Sequence, residues 1–298
     1  MKLICVLLAL FACSYCLDDD DYVVTKEYVD YLKRHVDWEV EEYENNIFRG
    51  WTIGEVQSFL GLVDMDTELE NALRIEEIEG DRPLPSEISW AESKCLHAVK
   101  NQGACGACWA FAAANMLSDR CCLMSSDKGW LSVQELVDCD TKSFGCSGGS
   151  LTTPVAYIQS VGGLVKESCY PYAGRAKGCP SNCNDGKRFS TSHVCKCQSV
   201  ANCVGTTGIR NCLNSGPVPI GFSVTQSFMS YKSGIFKCES TSYLGGHATL
   251  VMGYSASPEC NYYSQNSWGT AWGQRGFFNI ACSTCNISGG PVCTRVTD

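Results

Sequence analysis

Residues 102–111 read Gln-Gly-Ala-Cys-Gly-Ala-Cys-Trp-Ala-Phe and run into an alanine-rich, helix-competent stretch to about Leu123. Cys108 therefore falls at a helix N-terminus, where the positive end of the macrodipole favours a thiolate over a thiol. That is the state a nucleophilic cysteine needs. In a chain of 298 residues with 22 cysteines, the ordinary fate of any one of them is a disulfide or a buried thiol. Parity points the other way for one residue. Three cysteines precede residue 17 and 19 follow residue 84, so if the later ones pair, one is left over where a free thiol has a use.

A thiolate near neutral pH needs an imidazolium partner, and after residue 84 only His97, His193 and His247 could supply it. His97 lies in a polar stretch just before the Cys108 loop, and His193 lies in the cysteine-rich run 193–197. His247 follows Gly245-Gly246 and opens the apolar run 248–252, a glycine pair feeding a buried strand. A histidine in that setting is often only a satisfied core residue. Downstream, however, Asn266-Ser267-Trp268-Gly269 offers an amide to orient the ring and an indole to shield it. Gln102 could give a side-chain donor to an oxyanion, with the Cys108 main-chain N–H as the second; otherwise it is a solvated loop residue.

The elements that must position these residues come next. Ser132-x-x-Glu135 reads as a capping box, Thr153-Pro154 suits a helix start with an end near Gly162, and alternating or apolar strands dominate after Pro217. Met1-Lys2 and the apolar run that follows have the charge, length and flank of a secretory signal peptide over residues 1–16. No later apolar run has the ~20 residues of a membrane span. Residues 17–83 carry 20 acidic and 6 basic side chains and no cysteine, whereas residues 84–298 carry 12 acidic and 16 basic. The whole-chain charge of -9 thus belongs to the first segment. No basic run exists to neutralise phosphates, so nucleic acid is not an expected partner. Residues 23–44 and 53–62 read as amphipathic helices, and residues 80–85 form a breaker cluster. The expected domains are a signal peptide (1–16), an acidic propeptide (17–83) and a catalytic domain (84–298). An ordinary acidic N-terminal domain is the plainer reading of 17–83.

Residues 102–111, Gly245-Gly246-His247-Ala248 and 266–273, together with Asp138-Cys139 and 145–149, resemble the signature regions of papain-family cysteine proteases over nearly all of 84–298. The resemblance implies an α+β, papain-like fold of two subdomains: a helical left half, a β-rich right half and a cleft between, preceded by a short helical propeptide. It implies Cys108 as nucleophile, His247 as proton shuttle, Asn266 as orienter, and Gln102 with the Cys108 N–H as oxyanion hole. Substrate would be bound by Gly106, Gly148, Gly149, Leu151, Gly221, Ala248, Trp268 and Ser288. Gly149 would pair with its backbone, a side chain there blocking close approach. Leu151, Gly221, Ala248 and Ser288 would line a second specificity pocket, where the neutral Ser288 favours a hydrophobic P2 side chain.

Within the family, Ser118-Asp119-Arg120 and Tyr231-Lys232-Ser233-Gly234 look most like cathepsin B. Its occluding loop bears two adjacent histidines that make it a dipeptidyl carboxypeptidase. The corresponding insert here, about 169–203, has only His193, as in loop-deficient enzymes of parasitic protists, so cleavage of internal bonds is expected. The resemblance further implies disulfides Cys95–Cys122, Cys105–Cys146 and Cys179–Cys183, a monomer, no cofactor and no metal. Partners would be protein and peptide substrates, the chain's own propeptide and cystatin-like inhibitors, and the location a lysosome-like vesicle or the medium. Zinc on Cys179, Cys183, His193, Cys195 and Cys197 is a weaker possibility from ligand types alone. Asn286-Ile287-Ser288 is a glycosylation sequon. The rival from another class is a catalytically inactive relative acting as a secreted binding or matrix protein. Retention of Cys108, His247, Asn266 and Gln102 together weighs against it.

Overall fold

The computed structural model describes residues 18–63, 85–125, 129–238 and 242–297. The expected signal peptide and nearly all of the breaker cluster at 80–85 lie outside them. The N-terminal segment contributes α1 (Lys26–His35), the two-residue strand β1 (Glu39–Val40) and α2 (Ile53–Phe59). The helix expected over 23–44 is therefore much shorter. Thr25 caps its start by accepting from Tyr28 N–H, and Val36 already turns extended. Beyond it, Trp38 packs on Tyr231 and Phe236 at centroid distances of 5.9 and 5.3 Å. Burying that indole is worth more than continuing an exposed helix. The second helix begins with a full capping box between Thr52 and Glu55.

The left half is built on α3 (Cys108–Ser125), flanked by α4 (Val133–Cys139) and α5 (Thr153–Val161). Trp109, Phe111, Ala113, Met116 and Leu117 point in several directions and are all buried, as expected of a helix threaded through a core. Ser132 caps α4 by accepting from Glu135 N–H, but the Glu135 carboxylate does not return the bond. It takes Tyr157 Oη, Val165 N–H and His193 Nε2 instead. Pro154 in the first turn of α5 and left-handed Gly162 at its end match the expected bounds.

In the right half the order is β2 (Glu87–Ser89), β3 (Lys196–Asn202), α6 (Gly205–Leu213), β4 (Val218–Thr225), β5 (Tyr231–Ser233), β6 (Ile235–Phe236), β7 (Tyr243–Ser255), β8 (Asn261–Gln265), β9 (Phe277–Ala281), β10 (Ser288–Gly289) and β11 (Pro291–Thr297). The main sheet runs β10-β4-β7-β8-β9-β6, with β2 on β7, while β11 pairs with β3 and β1 pairs with β5. Phe222, Phe228, Tyr231, Phe236 and Phe278 fill its core. A fully buried Arg120 ties the halves together. Its guanidinium donates to the carbonyls of Pro217, Cys293, Cys212 and Gly216 and to Ser215 Oγ.

Nine disulfides are present among the described residues, and Cys95–Cys122 and Cys105–Cys146 are two of them. The expected Cys179–Cys183 bridge is not formed: Cys179 pairs with Cys139, and Cys183 with Cys169. Asp138 accepts from Lys177 N–H and Tyr170 Oη, which draws the Cys179 loop to the end of α4. Asn184 N–H on Cys169 carbonyl holds Cys183 beside its true partner. The remaining bridges are Cys121–Cys195, Cys197–Cys293, Cys203–Cys212, Cys238–Cys285 and Cys260–Cys282. All four cysteines considered for zinc are thereby held in disulfides and have no thiolate to offer a metal. Among the described residues no helix is long and apolar enough to cross a membrane.

Candidate active site

Cys108 is the first residue of α3, fully buried, and the one free thiol among the described cysteines. His247 lies in β7 opposite Phe222 of β4. Its Nε2 is 2.7 Å from Asn266 Oδ1. The same Oδ1 accepts from Ser267 N–H at 2.8 Å, so the atom facing the imidazole is an oxygen and Nε2 carries the proton. Nδ1 is then the basic nitrogen of the neutral ring, and it is buried without a partner among the described residues. Trp268 covers the imidazole at 4.6 Å.

Gln102 is buried and fixed on three atoms. Its N–H donates to the Ser267 carbonyl at 2.8 Å, its Oε1 accepts from Ser267 Oγ at 2.7 Å, and its Nε2 donates to the Cys105 carbonyl at 2.9 Å. Ser267 is a functional neighbour that sequence reasoning passed over, although it stands beside Asn266 in the same motif.

The N-terminal segment runs through this site. Gln102 Nε2 also donates to the Phe59 carbonyl at 3.1 Å. Gly149 N–H donates to the Gly61 carbonyl, Val63 N–H to the Gly149 carbonyl and Leu62 N–H to the Gly246 carbonyl, at 2.9, 3.0 and 3.1 Å. Leu62 clusters with Cys108, Ala112, Leu151 and Ala248. Ser288 faces Gly221 in β4, which in turn faces Ala248 in β7, and the buried Ser288 Oγ has no partner among the described residues. The residues expected to line a pocket are thus neighbours, and Leu62 reaches two of them.

The reason for glycine differs from the expectation at one position. A Cβ at Gly149 would meet the Trp109 indole at 2.5 Å, behind the cleft, whereas one at Gly148 would meet Val63 at 2.8 Å and the Gly61 carbonyl at 2.9 Å. Gly148 is the glycine that lets the chain approach. Gly106 lies beneath Gly61, whose own Cβ would come to 1.9 Å from the Gly106 carbonyl oxygen.

Enclosure sets the electrostatics. Burial pushes the Cys108 thiol up to about 11 against weaker lowering by main-chain hydrogen bonds, including those from Ala248 and Gly61. Burial likewise pushes His247 down to about 4, opposed by its bond to Asn266. Both shifts favour the uncharged forms, a neutral thiol and a neutral imidazole, in the closed site. The two other histidines after residue 84 are engaged elsewhere, His97 with Asp119 in a buried pair and His193 with Glu135 at 2.7 Å.

A free cysteine heading a buried helix, a histidine bonded to an asparagine and a buried glutamine are the residue types that thiol-dependent hydrolysis uses, and here they stand on a two-part α+β frame. The sequence profile of the papain family of cysteine proteases matches residues 84–294, and the chain belongs to that family. The senescence-specific cysteine protease SAG12 of Arabidopsis thaliana is 36% identical over 204 residues, 66% of this chain and 56% of that protein. Mouse cathepsin K is 32% identical over 227 residues, 72% of this chain and 66% of its own length. Both are thus spanned for less than two thirds of their length. A structure of procathepsin B S9 from Trypanosoma congolense superposes with a TM-score of 0.75 at 24% identity, covering 91% of this chain and 99% of that one.

Proposed function

We propose that this chain is the zymogen of a cysteine endopeptidase, cathepsin B-like but without the paired histidines that trim dipeptides from a C-terminus. In the open site Cys108 passes its proton to His247 Nδ1, and the sulfur attacks the scissile carbonyl. The developing oxyanion is held by Gln102 Nε2 and the Cys108 N–H. His247, oriented by Asn266, then protonates the leaving amine, and water hydrolyses the thioester by the reverse proton path. Trp268 keeps the ring dry, Gly106 and Gly148 allow the substrate backbone close, Gly149 pairs with that backbone through its own main chain, and Leu151, Gly221, Ala248 and Ser288 receive a hydrophobic P2 side chain.

Residues 17–83 act as the inhibitory propeptide of the 84–298 domain, after removal of 1–16 on the secretory route to a lysosome-like vesicle or the medium. Its partners are protein and peptide substrates and cystatin-like inhibitors, and it works as a monomer. The observation that carries this reading is the Phe59 carbonyl on Gln102 Nε2, a peptide oxygen on the expected oxyanion donor with Gly61 beside the free thiol. The test is to remove the leader, label with an epoxide that alkylates catalytic thiols, and map the peptide. Label on Cys108, with Cys108→Ala secreted and disulfide-bonded but inactive, is expected; full activity in Cys108→Ala overturns the assignment.

A further inference from the structure

Gln102 is held from the right half by Ser267, as described. From the left half it is held by residues to which the mechanism gives no part. Tyr172 Oη donates to the Gln102 main-chain carbonyl at 2.8 Å, and its ring stands edge-on to Phe111 of α3 at 4.8 Å. Burial raises the Tyr172 hydroxyl, which keeps it a donor. Tyr172 N–H in turn donates to Glu167 Oε1 at 3.0 Å, and Glu167 Oε2 pairs with Lys100 Nζ at 3.2 Å. Glu167 N–H is anchored on the Trp130 carbonyl, and Lys100 Nζ sits 4.0 Å over the Trp130 ring. The result is a closed circuit from Lys100 through Glu167 and Tyr172 back to Gln102, two residues from where it began.

We propose that Tyr172 is a positioning residue for the oxyanion hole, holding segment 100–102 through the Gln102 carbonyl so that Gln102 Nε2 is aimed before substrate arrives. The proposal rests on the reading of Gln102 as oxyanion donor. In the closed site Nε2 is steadied by two acceptors, the Phe59 and Cys105 carbonyls. Once the N-terminal segment leaves, the Phe59 oxygen goes with it, and the aim of the amide depends on what grips the rest of the residue. Ser267 grips the amide and the N–H, and Tyr172 grips the carbonyl. Displacement of a catalytic donor by a fraction of an ångström is enough to cost much of its effect.

The test compares Tyr172→Phe, Gln102→Ala and the double variant after removal of the leader from the full-length chain. Tyr172→Phe should lower kcat about tenfold with KM nearly unchanged. It should weaken a peptide aldehyde, whose adduct oxygen takes the oxyanion position, by the same factor. The rate and pH profile of Cys108 alkylation by iodoacetamide, which needs no oxyanion donor, should stay as in the parent. The double variant should be no worse than Gln102→Ala alone, because Tyr172 acts through Gln102. An unchanged kcat, an additive double variant or an equal fall in alkylation overturns the proposal. If Gln102→Ala itself leaves aldehyde affinity intact, the oxyanion reading fails first. Should Tyr172→Phe fold poorly, Glu167→Gln, which keeps an acceptor for Tyr172 N–H and loses the Lys100 pair, should move kcat in the same direction by about threefold; no movement overturns the proposal.

Discussion

A thiol pushed up to about 11 is ionised to only about one part in ten thousand at pH 7, so the closed site is chemically silent as well as covered. Alkylation of Cys108 by iodoacetamide at pH 7 should be more than about a hundredfold slower in the full-length chain than after the segment is removed, when water and the α3 dipole favour the thiolate. Equal rates would show that the segment does not enclose the thiol in solution. Closure also depends on residues without side chains, and Gly61 is the most tightly placed of those in the N-terminal segment. A methyl on Gly61 would press into the main chain of Gly106, which has no rotamer to give, so Gly61→Ala should weaken docking by about 2 kcal/mol, roughly 30-fold. Active-site titration of the full-length variant without processing checks this. At this scale the sequence was informative where chemistry dictates residue type: a cysteine at a helix start, one histidine opening an apolar run inside a buried strand and an amide after the next strand. Residues that work by contact with distant chain were not legible. His97 meets Asp119 across 22 positions, Glu135 abandons its capping role for His193, and Tyr172 reaches Gln102 across 70.

The element that sequence reasoning read least well is the insert at 169–203, because its shape is set by what α4 offers it. Besides the two bridges, Ser132 Oγ donates to the Tyr170 carbonyl, Gln134 Nε2 donates to the Arg175 carbonyl and its Oε1 accepts Ala173 N–H. The resemblance implied a Cys179–Cys183 pair, but these bonds carry the two cysteines to separate partners. His193 closes the far end of the insert. Its hydrogen bond to the fully buried Glu135 raises its pKa above 6.5, against desolvation. A histidine raised by folding stabilises fully below its unfolded value, and that contribution is lost as pH rises through the raised one. The loss of thermal stability in His193→Gln should therefore be larger at pH 5 than at pH 8. A difference independent of pH between those values would mean that folding does not shift the pKa of His193, and would overturn the raised value.

At the scale of the whole molecule, the acidic N-terminal segment and the basic remainder invite an electrostatic latch, and the interface is built otherwise. Among the described residues, Lys232–Glu41 at 3.8 Å and Lys237–Asp37 at 3.2 Å are the ion pairs that cross it, and both are exposed enough to be screened. Packing and main-chain bonds do more. Trp38 fills a site on Tyr231 and Phe236, Phe48 and Phe59 stand against Trp268, and β1 extends β5. Asn46 Nδ2 donates to the Met229 carbonyl and Gln226 Nε2 to the Val23 carbonyl, so buried polar groups are matched across the seam. Charge sets the approach of the two parts, while burial sets how long they stay. Inhibition of the processed enzyme by an added 17–83 peptide should therefore hardly change up to about 1 M salt, where the screening length is ~3 Å. Asp37→Asn should alter it less than about threefold. Trp38→Ala should cost about 3 kcal/mol, more than a hundredfold in the inhibition constant, because it empties a buried aromatic site that water fills poorly. A steep salt dependence together with a mild Trp38→Ala effect would return the latch to electrostatics.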